Sequence, residues 1–170
     1  MSDAVLFTEM EIATRVNAIA HAIARAGAPP EIVVPVLVGA FVFAADLVRA
    51  LSREGLDLPV EFLWLASYGE ARAAGDMRVR VAPSEAVRGK HVLLMDGVLD
   101  HGRTLSAARD LLTATGASAI TTAVVIDKRR VDAPLLADHA CFTGVAAFVV
   151  GYGMDDAGLG RGWPYMAKAD

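Results

Sequence analysis

The feature that most constrains this chain is a series of short, almost unbroken apolar runs, each separated from the next by a stretch of different periodicity. Residues 32–38, 60–66, 91–95 and 119–126 hold few polar side chains and do not alternate, as strands covered on both faces require. Between them, Ile12, Val16, Ile19 and Ile23 share one face of a helix of 3.6-residue period, as do Phe43, Leu47 and Leu51, and then Leu105, Ala108 and Leu112. Gly27 with Pro29 and Pro30 ends the first helix, Gly55 the second and Gly116 the third. Repeated strand, helix, strand order predicts an α/β fold with a mostly parallel central sheet flanked by helices. Pro35 has no N–H to give to a ladder, so its strand is expected at an edge or an irregular position. Residues 148–150 form a further short strand candidate, and glycines 151, 153, 158, 160 and 162 predict turns after it.

A chain of 170 residues suits a single domain over 1–170 with its own core. One cysteine, Cys141, allows no internal disulfide and no thiolate cluster, which agrees with a cytoplasmic location. The net charge of -4 argues against a broad nucleic-acid surface while leaving room for a local anion site. The longest apolar stretch, residues 32–45, contains Pro35 and Gly39 and stops at Asp46, short of the roughly 20 residues a membrane span needs. Met1-Ser2-Asp3 has no basic region ahead of an apolar core, so a secretory signal is not expected.

Chemistry is expected where residues 96–104 leave the third apolar run and enter a helix. Ligands of open parallel sheets collect beyond the carboxyl ends of strands, where helix N-termini offer unpaired N–H groups. Gly102 permits a tight backbone, and Arg103 and Thr104 add side-chain donors, so the loop is a candidate phosphate cradle. Its glycine spacing fits neither a Walker loop nor a dinucleotide fingerprint, and by spacing alone an ordinary strand-to-helix turn is the commoner reading. Asp96 and Asp100 would repel a bare phosphate. They make sense if the ligand also brings hydroxyls, a metal ion or developing positive charge. Residues 67–76, with Gly69 and Gly75 and few large apolar groups, read as a surface excursion or flap.

Val92-Leu93-Leu94-Met95-Asp96-Gly97-Val98-Leu99-Asp100-His101-Gly102-Arg103-Thr104 resembles the phosphoribosyl-diphosphate-binding segment of type I phosphoribosyltransferases. Within that superfamily the surrounding sequence is most similar to the hypoxanthine-guanine phosphoribosyltransferase family, over nearly the whole chain. Leu37-Val38-Gly39 matches a Leu-Lys-Gly segment that precedes a helix, and Ser67-Tyr68-Gly69 a mobile-loop motif. Asp127-Lys128 resembles the site of a base-recognition lysine, and Phe148-Val149-Val150-Gly151-Tyr152-Gly153-Met154-Asp155 the base pocket and metal segment, with Arg161 at the family spacing after it.

The resemblance implies a type I phosphoribosyltransferase fold with a small hood made by the terminal segments. Asp100 would be the catalytic residue, assisting proton transfer at purine N7. Phosphoribosyl diphosphate would be held by Val38, Gly39, Ser67, Tyr68, Asp96, Asp100, His101, Gly102, Arg103, Thr104 and Arg161. An oxopurine would be held by Lys128 at its six-position oxygen, by Phe148 stacking on the ring, by the Val149 backbone and by Asp155. Mg2+ is the implied cofactor, with Asp155 and Asp96 as its ligands, and a homodimer or homotetramer is the implied assembly.

Three positions depart from the family pattern. Gly97 stands where a second acid clamps the ribose, Val38 replaces a lysine, and His101 replaces a threonine. The family loop at 38–39 often contains a cis peptide, and Val38 suits either isomer. Two rival readings follow: a phosphoribosyltransferase-like regulator that binds ligand or RNA, and an enzyme for another base, the latter suggested by the altered residues 142–147.

Overall fold

The computed structural model describes residues 4–67, 77–131 and 135–169. After β1 (Ala4–Phe7), α1 spans Glu9–Ala24 and opens with a capping box. Thr8 Oγ1 accepts from the Glu11 N–H at 3.3 Å, while Glu11 Oε2 accepts from the Thr8 N–H at 2.8 Å, satisfying two otherwise orphaned donors. Then come β2 (Ile32–Leu37), α2 (Phe41–Arg53), β3 (Leu63–Ser67), β4 (Met77–Val81), β5 (His91–Leu99), α3 (Arg103–Thr115), β6 (Ala119–Asp127), β7 (His139–Thr143), β8 (Val149–Val150) and β9 (Met166–Lys168).

Six strands form the central sheet in the order β4-β3-β2-β5-β6-β7, parallel except for the edge strand β4. Both faces are covered, which explains the unbroken apolar runs. Ile12, Val16 and Ile23 of α1 and Phe43, Leu47 and Leu51 of α2 pack with Val33, Leu93, Met95 and Val125 on one face. Leu105, Ala108 and Leu112 of α3 pack with Val34, Val36, Leu94 and Val124 on the other. The terminal segments supply a separate antiparallel sheet, β1-β9-β8, the expected hood.

Of the two positions open to β2, an edge or an irregular one, the second holds, because β3 and β5 flank the strand. Pro35 is tolerated because the β2–β3 ladder is interrupted between the Val33–Val60 bridge and the Val36–Leu63 pair, and the proline falls in that gap. The strand predicted to stop at Met95 runs on to Leu99, with Asp96, Val98 and Leu99 still paired to β6. Gly97 and Asp96 therefore lie in strand, and only residues 100–102 form the loop. β1, β7 and β9 had no sequence expectation.

The topology fixes where ligands can sit. From neighbouring strands β2 and β5, the chain leaves toward opposite faces, to α2 and to α3 respectively. Their diverging loops open a crevice at the carboxyl edge of the sheet, the switch point where ligands of such sheets collect.

Candidate active site

That crevice holds a cavity of about 400 Å³ lined by residues of every loop that the sequence singled out and the structure describes at this edge. Gly39 comes from the β2 exit, Asp96 and Asp100 from β5 and its end, Lys128 from the end of β6, and Phe148, Val149, Asp155 and Arg161 from the hood side. A second hollow of about 220 Å³ adjoins it, sharing Asp96, Asp100 and Thr104 and adding His101, Gly102 and Arg103. A larger hollow, about 460 Å³, lies between α1 and α2 and takes no residue from the loops after β5 or β6. The convergence of strand ends, not size, identifies the site.

The smaller hollow is built for an anion. Gly102 is the N-cap of α3 with φ 75°, a backbone that favours glycine, and no side chain caps the helix. The N–H groups of its first turn thus keep their donors for a ligand, and the helix dipole favours negative charge there. Arg103 and the half-exposed His101 flank it. Asp100 does not cap this helix, and its Oδ2 pairs with Lys128 instead.

Asp100 and Lys128 meet because their strands end abreast. The Lys128 N–H donates to Leu99 O at 3.0 Å, extending the β5–β6 ladder by one rung and setting the two side chains at the same level. Lys128 Nζ lies 3.2 Å from Asp100 Oδ2, with the lysine side chain only 13% exposed, so it is not a solvated surface charge. Asp100 Oδ1 is itself buried and accepts no hydrogen bond among the described residues. Arg130 Nε and His101 Nε2 approach it to 3.6 and 3.8 Å, beyond hydrogen-bond length. Phe148 is half exposed and lines the cavity, which a core phenylalanine would not do.

Asp96 forms part of the floor. Gly97 N–H donates to its Oδ1 at 2.7 Å, yet burial dominates and pushes its carboxyl up to about 7. Gly97 is tightly enclosed: a Cβ there would lie 3.1 Å from Gly39 O and 3.3 Å from Met154 Sδ. A second acid at that position would require the β2 exit loop or Met154 to give way. In that loop the Leu37–Val38 peptide is cis, and Leu37 and Gly39 line the cavity while Val38, 38% exposed, does not.

Asp155 Oδ1 pairs with Arg161 Nη2 at 2.5 Å and Oδ2 accepts from the Gly158 N–H at 2.7 Å, while Arg161 Nη1 donates to Gly153 O at 2.7 Å. The segment carrying them is anchored to α2 by the buried Tyr152, whose hydroxyl donates to Asp46 Oδ2 at 2.7 Å. Burial and that neighbouring carboxylate raise the phenol further, so it remains a donor. Ser67 ends β3, and Tyr68 lies outside the described residues. Arg130 and Met154 were not predicted. The charged run 127–130 at a strand's carboxyl end was the available signal for the first, and Met154 had none.

An anion-ready helix start thus adjoins a cavity walled by a carboxylate and an ammonium, the arrangement of a site for a phosphorylated ligand. The chain belongs to the phosphoribosyl transferase domain family, whose model matches residues 5–157. Among curated relatives, it is 32% identical to a hypoxanthine-guanine phosphoribosyltransferase of Dictyostelium discoideum, covering 99% of this chain and 96% of that protein. It is 36% identical to one of Aquifex aeolicus (strain VF5), covering 96% and 93%. A hypoxanthine phosphoribosyltransferase from Trypanosoma cruzi in complex with the product IMP superposes with a TM-score of 0.89 at 32% identity, covering 100% of this chain and 96% of that one.

Proposed function

We propose that this protein transfers the 5-phosphoribosyl group from phosphoribosyl diphosphate to hypoxanthine or guanine and releases diphosphate. The observation that carries the reading is the Asp100–Lys128 pair at 3.2 Å on the wall of a cavity that opens onto the uncapped start of α3. A carboxylate beside an ammonium complements the edge of a 6-oxopurine, on which an N7 proton donor adjoins the six-position oxygen. The relatives named above are similar over nearly their whole length and are named for this activity.

In this reading the amides of residues 103–105, with Arg103 and Thr104, take the 5′-phosphate, and Asp96 accepts from ribose hydroxyls. Phe148 stacks on the base and Val149 reads its edge, while Lys128 holds the exocyclic oxygen. Asp100 accepts the proton at N7 as the other imidazole nitrogen attacks C1 of the ribose and the bond to diphosphate breaks. Gly39 and Arg161 face the departing diphosphate, where a guanidinium and backbone dipoles offset its charge.

The donor set suits Mg2+. Asp96 and Asp155 offer hard carboxylate oxygens to one cavity, and no group of three or more His, Cys, Asp or Glu forms a closed metal cage among the described residues. When bound, the ion would neutralise diphosphate oxygens, with the ligand completing its shell. A homodimer or homotetramer and a cytoplasmic location belong to the same proposal. No helix of the described residues is long and apolar enough to cross a membrane.

The test is to incubate purified protein with Mg2+, phosphoribosyl diphosphate and, separately, hypoxanthine, guanine, xanthine and adenine, measuring nucleotide and diphosphate. Greatest turnover is expected with hypoxanthine or guanine. Saturable binding of phosphoribosyl diphosphate with no product from any base would replace this reading with a regulatory one.

A further inference from the structure

Asp100 has two oxygens in different surroundings. Oδ2 faces Lys128, a residue lining the larger cavity. Oδ1 is buried and has Arg130 Nε at 3.6 Å and His101 Nε2 at 3.8 Å. His101 also lines the smaller hollow, whereas Arg130 lines neither cavity. Arg130 lies two residues beyond Lys128 in the segment that leaves β6, so the two cations approach one carboxylate from the same exit loop.

We propose that Arg130 is a positioning residue: it holds Asp100 from behind so that Oδ2 faces the incoming heterocycle. The inference rests on the transfer reaction proposed above. In that reaction Lys128 turns to the base's exocyclic oxygen and gives up part of its hold on Asp100. A carboxylate freed on that side can rotate about its last torsion, which is broad for aspartate, and lose its alignment with the base. Arg130 contacts the opposite oxygen and makes no contribution to the cavity wall, so its hold survives the arrival of the base. Closing the gap from 3.6 Å to about 2.9 Å would convert a through-space attraction into a charge-assisted hydrogen bond at the moment Lys128 is diverted.

Loss of a contact made equally in the ground and transition states raises KM, while loss of alignment of the proton acceptor lowers kcat. Arg130 is 41% exposed and Asp100 39%, so the coupling is modest. Arg130→Gln should lower kcat about five-fold, equivalent to about 1 kcal/mol, with both KM values within about two-fold of the parent. Arg130→Lys, which keeps the charge, should recover most of that rate. In an Asp100→Asn background the same Gln change should cost nothing further, because the group it acts through is already gone.

Melting curves of Arg130→Gln and Arg130→Lys accompany the kinetics, and an exposed side chain should leave both unchanged. An unchanged kcat in Arg130→Gln, a rise in KM at constant kcat, or an equal loss in the Asp100→Asn background would each overturn the proposal. Absence of nucleotide from the parent protein would instead refute the transfer reading, so the two failures are distinguishable.

Discussion

Gly153→Ala tests how the diphosphate side of the site is held. Gly153 has φ 98°, and a Cβ placed on it would lie 2.5 Å from Gly39 O, a backbone atom of the β2 exit loop. Alanine in that conformation costs about 1–2 kcal/mol by itself. Overlap with a packed carbonyl adds about 1–3 kcal/mol, because the loop has to move. Gly158→Ala is the matched control: its φ is 86°, but nothing lies within 4 Å of the added carbon, so only the backbone cost applies. Urea denaturation should therefore show Gly153→Ala less stable than Gly158→Ala by about 1–3 kcal/mol. Calorimetry should show its affinity for phosphoribosyl diphosphate reduced about ten-fold or more, since sub-ångström displacement of a binding loop is costly. Equal stability of the two variants, or native affinity in Gly153→Ala, would refute the close packing of Gly153 on Gly39 as the support of that loop.

Three further outcomes are expected. Asp100→Asn should cost at least about 100-fold in kcat while leaving circular dichroism and the melting temperature near native, because it removes a proton acceptor and keeps the shape; a loss below ten-fold would remove Asp100 from the chemistry. Lys128→Ala should raise KM for hypoxanthine about 10- to 150-fold, the range for a charge-assisted bond of about 1.5–3 kcal/mol, and an unchanged KM would place the base elsewhere. For Asp96, burial raises the carboxyl from 3.8 to about 7, so its ionisation is harder in the folded than in the unfolded chain. The stability it contributes is present below about 4 and is lost as the pH rises through 7. Without metal or ligand, Asp96→Asn should gain roughly 2 kcal/mol over the native chain between pH 5 and pH 8. A pH-independent difference in urea titrations would count against that burial.

The parts of the fold that were legible share a cause. Residues 32–37, 91–95 and 119–126 are covered on both faces, so composition alone marked them as strands of a mostly parallel sheet flanked by helices. Gly97 hid the continuation of β5, since a glycine between polar and apolar neighbours reads as a turn. In the structure, a close approach by Gly39 O demands it inside a strand. Pro35 left an edge and an irregular position equally open, and the second holds because an inner strand tolerates proline only where its ladder is already broken. β1 and β9 are four and three residues long and gain their pairing from each other across the whole chain, which no local pattern encodes.

Within the site, the strand-to-helix junction was legible in outline, and Asp100, Gly102 and Thr104 line one hollow there, because strand, turn and helix are consecutive. The partners of those residues were not. Lys128 reaches Asp100 through a ladder rung between β5 and β6, Tyr152 reaches Asp46 across 106 positions, and Arg130 closes on Asp100 from a charged run that reads as solvated surface. Long-range contacts of this kind depend on where strands end relative to one another, and spacing along the chain does not record it.

The most direct measurement is a crystal structure with a purine nucleoside 5′-monophosphate bound. The phosphate should lie on the amides of residues 103–105, the base between Phe148 and the Val149 backbone, with Asp100 within hydrogen-bond distance of N7 and Lys128 on the exocyclic oxygen. A nucleotide bound in the hollow between α1 and α2, or a phosphate that leaves the start of α3 untouched, would contradict the account.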